Sequence, residues 1–260
     1  MTIGFFDSGI GGLTVLYEAL KVLPYENYIY YADTLNVPYG TKQKNEVKKY
    51  IFDAAAFMAS QGVKAMVIAC NTATSVAIKD LRRKYDFPII GMEPAVKPAV
   101  ERNGNSHKRV LVLATQLTLK EEKFKNLVSK VDNEHIVDFL PFPELVEFAE
   151  KLEFHEQVLL PCLKDKLAAL DMSLYGTIVL GCTHFPFFKD VFRQLLSENI
   201  EIIDGSVGTV KHLKRILGER HCSKDGNGEI VFYHSGRRVE DKECLDKYSR
   251  LLKRLNDIDE

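Results

Sequence analysis

The fold turns on a stretch that runs apolar, small, then polar: Val67-Ile68-Ala69-Cys70-Asn71-Thr72-Ala73-Thr74. Its first residues read as a buried strand, and the thiol, amide and hydroxyl residues fall where a helix should follow. The same order returns about half a chain later in Ile178-Val179-Leu180-Gly181-Cys182-Thr183-His184-Phe185. A lesser echo links Asp7-Ser8-Gly9 with Thr115-Gln116-Leu117-Thr118, each closing the opening strand of its half. Outward from these turns, short apolar runs at 2–6, 28–31, 65–69, 89–92, 109–114, 136–140, 177–180 and 200–203 read as buried strands. Amphipathic stretches at 13–22, 46–61, 74–85, 119–131 and 187–197 read as helices between them. This alternation gives an α/β class: two pseudo-duplicated, doubly wound domains with mainly parallel sheets and helices on both faces. Residues 94–105 are the nearest thing to a linker, with 102–106 a polar loop. The tail from Asp204 onward, including a strand-like run at 230–234, must pack on one of the two halves.

The 260 residues carry 35 Lys+Arg against 36 Asp+Glu, which argues against a general electrostatic grip on nucleic acid or membrane. No apolar run reaches the ~18–20 residues of a membrane span, and the first residues lack the pattern of a secretory signal. A cytoplasmic protein is expected. Five scattered cysteines without a Cys-x-x-Cys pair argue against a disulfide framework and a structural zinc site.

In a parallel sheet, ligands collect beyond the carboxyl ends of the strands, where Asp7, Cys70, Thr115 and Cys182 all fall. Helix starts there offer free N–H groups to a carboxylate. They also lower the pKa of a thiol, making it a usable base. Two such thiols facing each other across a cleft suit inversion of a carbon centre, one removing a proton and the other donating one. Free cysteines are more often small buried hydrophobes, but a matched pair with polar followers favours the chemistry. Asp7-Ser8-Gly9-Ile10-Gly11-Gly12 fits neither G-x-G-x-x-G nor a P-loop, so nucleotide binding is not expected. Asp7 suits a substrate ammonium, or else caps the next helix. His184 can exchange a proton with Cys182 or polarise the substrate; with no further ligands nearby, no metal is expected. Glu147 reads either as a solvated carboxylate at a helix start or as a supporting group. Pro38-Tyr39-Gly40 reads as a tight turn.

Taken together, Asp7-Ser8-Gly9-Ile10-Gly11-Gly12, Tyr31-Ala32-Asp33-Thr34, Val37-Pro38-Tyr39-Gly40, Ala69-Cys70-Asn71-Thr72-Ala73, Glu93-Pro94-Ala95 and Leu180-Gly181-Cys182-Thr183-His184-Phe185-Pro186 resemble the glutamate racemase family, in the family's order across about the first 210 residues. The resemblance implies cofactor-independent interconversion of L- and D-glutamate, supplying D-glutamate for bacterial peptidoglycan. It gives Cys70 as the base for D-glutamate and Cys182 as the base for L-glutamate, with Asp7 and His184 assisting. It puts substrate contacts at Asp7, Ser8, Pro38, Tyr39, Gly40, Asn71, Thr72, Thr115, Thr118, Thr183 and His184, and a supporting role at Glu147. It also implies an active site between the two domains, a homodimer, and a C-terminal segment returning to the first domain. The expected domains are therefore 1–97 with 207–260, and 98–206. The sequence departs from the family in Leu140-Pro141-Phe142-Pro143-Glu144-Leu145-Val146-Glu147, where the family often has Cys-Pro or Phe-Val-Pro, and this leaves the alignment of Glu147 open. Asp204-Gly205-Ser206 also departs in order. The chain starts almost at its first strand, so activation through an N-terminal extension is not expected. A near rival keeps the chemistry and changes the substrate to aspartate, hydantoin or a related acid. A thiol hydrolase using Cys182 and His184 would leave Cys70 idle.

Overall fold

The computed structural model describes residues 2–104, 106–223 and 226–260. The chain opens with β1 (Ile3–Asp7), α1 (Leu13–Val22), β2 (Tyr28–Ala32), α2 (Lys44–Ser60), β3 (Ala65–Ile68), α3 (Asn71–Lys84) and β4 (Ile89–Gly91). Helix α4 (Val96–Asn103) leads into β5 (Arg109–Ala114), α5 (Gln116–Lys120), α6 (Glu122–Val131) and β6 (Val137–Pro141). Then come α7 (Glu144–Glu150), α8 (Glu156–Leu167), β7 (Tyr175–Leu180), α9 (Lys189–Leu195) and β8 (Glu201–Asp204). The tail forms α10 (Ser206–His221), β9 (Ile230–His234), β10 (Arg237–Arg238) and α11 (Lys242–Asp259).

Two sheets result, ordered β10-β9-β2-β1-β3-β4 and β6-β5-β7-β8. The first four strands of each half thus take the same order, second-first-third-fourth, as the paired sequence motifs require. All pairs are parallel except β9 with β10. The tail packs on the first half, β9 lying parallel to β2 with Ala32 opposite His234.

The unbroken apolar runs follow from burial on both faces. In β1, Phe5 enters one core and its neighbour Phe6 the other, because successive side chains point to opposite faces. The core that takes Phe5, Tyr30 and Val67 continues through Leu111, Leu113 and Leu180 of the second sheet. The two halves are joined by a common interior.

Three local expectations are corrected. The presumed linker is mostly helix α4, with Val96 and Ala99 buried. Pro98 is tolerated there because the first turn of a helix has no internal acceptors for its N–H groups. Asn105 lies outside the described residues. The helix expected over 119–131 is two helices broken at Glu121, whose extended backbone caps α6. Its buried carboxylate accepts from Lys44 Nζ of α2 at 2.6 Å. Finally, Cys182 does not open a helix: a 3-10 turn at Phe185–Phe188 intervenes before α9.

Candidate active site

Parallel pairing sets the carboxyl ends of β1 and β3 side by side in one sheet and those of β5 and β7 in the other. Between them lies a cavity lined by Ser8, Pro38, Tyr39, Gly40, Asn71, Thr72, Thr115, Thr183 and His184 with both Cys70 and Cys182. Thr41, Pro143, Val146 and Glu147 complete the wall. Thr41, Pro143 and Val146 carry no chemical signal in the sequence. They are found only once the 3-10 turn Tyr39–Thr41 and helix α7 are docked.

Cys70 is the N-cap of α3, and its sulfur accepts from the Ala73 N–H at 3.4 Å. Its thiol donates toward Ser8 Oγ at 3.8 Å. The expectation of a lowered pKa is overturned here. Burial pushes the Cys70 thiol well up, reinforced by the Asp7 carboxyl, and the Ala73 N–H offsets only part of this. Desolvation outweighs the helix terminus because Cys70 is only 6% exposed. Cys70 rests as a thiol.

The second thiol has a different setting. Cys182 lies 3.7 Å from His184 Nδ1, and His184 Nε2 meets Glu150 Oε1 at 2.6 Å. Burial alone would lower the His184 pKa, but hydrogen bonds to Cys182 and Glu150 hold it well above the usual value. An imidazolium therefore faces the Cys182 sulfur. The carboxylate behind it belongs to Glu150, not Glu147. Glu150 also accepts from the Ile10 N–H at 2.9 Å. Glu147 lies one turn earlier on α7 with a side chain 63% exposed, paired with Lys151 at the cavity rim.

Asp7 and Thr118 do not reach the cavity wall. Asp7 is fully buried behind it, accepting from the Gly9 N–H at 3.0 Å and the Thr183 hydroxyl at 3.1 Å. Burial raises its pKa to about 6 despite the opposing pull of His184. It does not cap α1, whose N-cap is Gly12. Thr118 forms a triangle of hydroxyls with Thr72 and Thr115, each edge 3.0 Å, tying the halves together beside the cavity. Asn71 is 3% exposed, and neither end of its amide has a partner among the described residues. A buried amide left unpaired is costly, so Asn71 is poised for a polar ligand. No group of three or more His, Cys, Asp or Glu suited to a metal occurs among the described residues. No helix among them is long and apolar enough to cross a membrane.

The chain matches the Asp/Glu/Hydantoin racemase family over residues 20–213. It is 60% identical to glutamate racemase 2 of Bacillus subtilis over 257 residues, 99% of this chain and 97% of that one. A structure of glutamate racemase from Francisella tularensis in complex with D-glutamate superposes with a TM-score of 0.82 at 28% identity, covering 97% of this chain and 93% of that one. A structure of the Escherichia coli glutamate racemase with L-glutamate and the activator UDP-MurNAc-Ala gives 0.80 at 30% identity, covering 95% of each chain. With both cysteine motifs at matching strand ends, the chain belongs to the glutamate racemases of the Asp/Glu/Hydantoin racemase family.

Proposed function

We propose that this chain interconverts L- and D-glutamate by two-thiol proton transfer at the α-carbon. The observation that carries the reading is the pair of cysteines lining one cavity from equivalent strand ends. Glutamate binds with its α-carbon between the sulfurs and its carboxylates on the N–H, amide and hydroxyl donors of Ser8, Asn71, Thr72, Thr115 and Thr183. Pro38, Tyr39 and Gly40 contribute the opposite wall. The positive substrate ammonium draws the Cys70 thiol toward thiolate in a site where burial otherwise opposes charge. Asp7 acts through Thr183 from behind.

In the D-to-L direction the Cys70 thiolate takes the α-proton, and the electron pair moves onto the α-carboxylate as an enolate-like anion. The Cys182 thiol then gives its proton to the opposite face, leaving a thiolate beside the His184 imidazolium. The L-to-D direction runs in reverse. Preorganised donors around the α-carboxylate supply the largest stabilisation, since these residues alone must hold the charge that develops.

The same reading divides the chain into 1–97 with 207–260 and 98–206, working as a cytoplasmic homodimer. Its product serves peptidoglycan synthesis. The test is substitution of each thiol. Cys70→Ala and Cys182→Ala should each lower turnover in both directions by about 100- to 10,000-fold while the protein stays folded. Near-normal turnover in either variant contradicts the two-thiol reading.

A further inference from the structure

The Tyr39 wall of the cavity is held by a part of the chain that contributes nothing to the cavity itself. Asp33, at the end of β2, is 3% exposed. Its Oδ2 accepts from the Tyr39 hydroxyl at 2.5 Å, and both carboxylate oxygens accept from Asn36 Nδ2 at 3.0 Å. The remaining contact comes from the C-terminal segment. Ser235, in the turn between β9 and β10, donates its hydroxyl to Asp33 Oδ1 at 2.7 Å. Ser235 Oγ in turn accepts from the Leu35 N–H at 3.1 Å, and the Ser235 N–H donates to Ala32 O at 2.8 Å. One hydroxyl therefore bridges both sides of the turn that launches the Tyr39 loop.

The backbone at Ser235 makes this contact notable. Its φ is +44°, in the left-handed region that glycine adopts without strain, and Gly236 beside it has φ +86°. A serine here gives up the conformational ease of glycine and gains only its hydroxyl. At the far end of the loop there is little slack, since a Cβ on Gly40 would sit 2.7 Å from Thr115 Cβ across the cleft. Pro38, Tyr39, Gly40 and Thr41 are thus fixed between Thr115 on one side and the Asp33–Ser235 clamp on the other.

We infer that Ser235 is a positioning residue for substrate binding: through Asp33 it sets the Tyr39 loop against the ligand. The inference rests on the glutamate reading for its kinetic readout. Because the clamp holds a binding wall and touches neither thiol, its loss acts on KM more than on kcat.

The experiment compares wild type with Ser235→Gly and Ser235→Asn in both directions, with thermal melts alongside. Glycine suits the backbone and removes the hydroxyl. It should raise KM for both enantiomers about tenfold and change kcat less than about twofold, with Tm unchanged or higher. Asparagine tolerates left-handed φ and restores a donor and an acceptor, so it should return KM to within about threefold of wild type. A wild-type KM in Ser235→Gly overturns the inference, and so does a fall in kcat and Tm together, which would mark general loosening. Failure of wild type to racemise glutamate would sink the functional reading alone. The clamp would then be judged by amide hydrogen exchange over 36–41, which must quicken in Ser235→Gly; unchanged exchange would overturn it.

Discussion

Burial alone would strip the proton from His184, yet the Cys182 sulfur on one side and the Glu150 carboxylate on the other hold it. Among the described residues Cys70 has no such partner and hydrogen-bonds only with Ser8 Oγ and the Ala73 N–H. The two thiols are equivalent by position and unequal by environment. His184→Asn should therefore lower kcat by about tenfold or more in the L-to-D direction, in which the proposed mechanism makes Cys182 the base, and less in the reverse. Because the enantiomers are equally stable, kcat/KM must fall equally both ways, so the asymmetry lies in kcat and KM separately. Equal losses of kcat would contradict the assignment. Asp7 gives a prediction in stability. Its folded pKa of about 6 lies above the ordinary aspartate value of 3.8, so the folded state holds the proton more tightly than the unfolded one. Stability is then lost as pH rises from about 4 to about 6 and stays lower above that. The linked change is on the order of 3 kcal/mol. In urea titrations across that window, the advantage of Asp7→Asn over wild type should grow by about that amount. A constant difference would show that Asp7 is ionised normally.

At the scale of elements, the turn from β1 into α1 packs directly against the second cysteine loop. A Cβ on Gly11 would stand 2.5 Å from both His184 Nδ1 and Thr183 Oγ1, neither of which can swing into solvent. Gly11→Ala should cost about 1–3 kcal/mol in stability. It should also reduce turnover well beyond that, by displacing the imidazole from Cys182; a variant as active as wild type would show that the loop yields freely. The strands were legible in the sequence because burial on both faces writes continuous apolar runs. Cys70 could be placed at a helix start for the same reason. The carboxylate behind His184 could not be identified. Glu144, Glu147 and Glu150 recur every three residues along one side of α7, and only docking of that helix selects Glu150. The break at Glu121 was hidden too: its buried carboxylate is met by Lys44 of α2, a partner 77 positions away in the chain.

Over the whole molecule, the duplication seen in two cysteine motifs becomes two sheets with one strand order and a shared core. Local pattern supplied that architecture, because each half repeats it. What the sequence withheld were contacts between distant segments: Thr183 with Asp7, Ile10 with Glu150, and Ser235 with Asp33. These join positions with no shared periodicity, and they determine which polar residues line the cavity and which stand behind it. The direct test of the central claim is proton NMR of L-glutamate, then D-glutamate, in D₂O with folded, reduced protein and no added cofactor. The account predicts loss of the α-proton signal from either enantiomer with formation of the other. No exchange and no inversion with either enantiomer would contradict it.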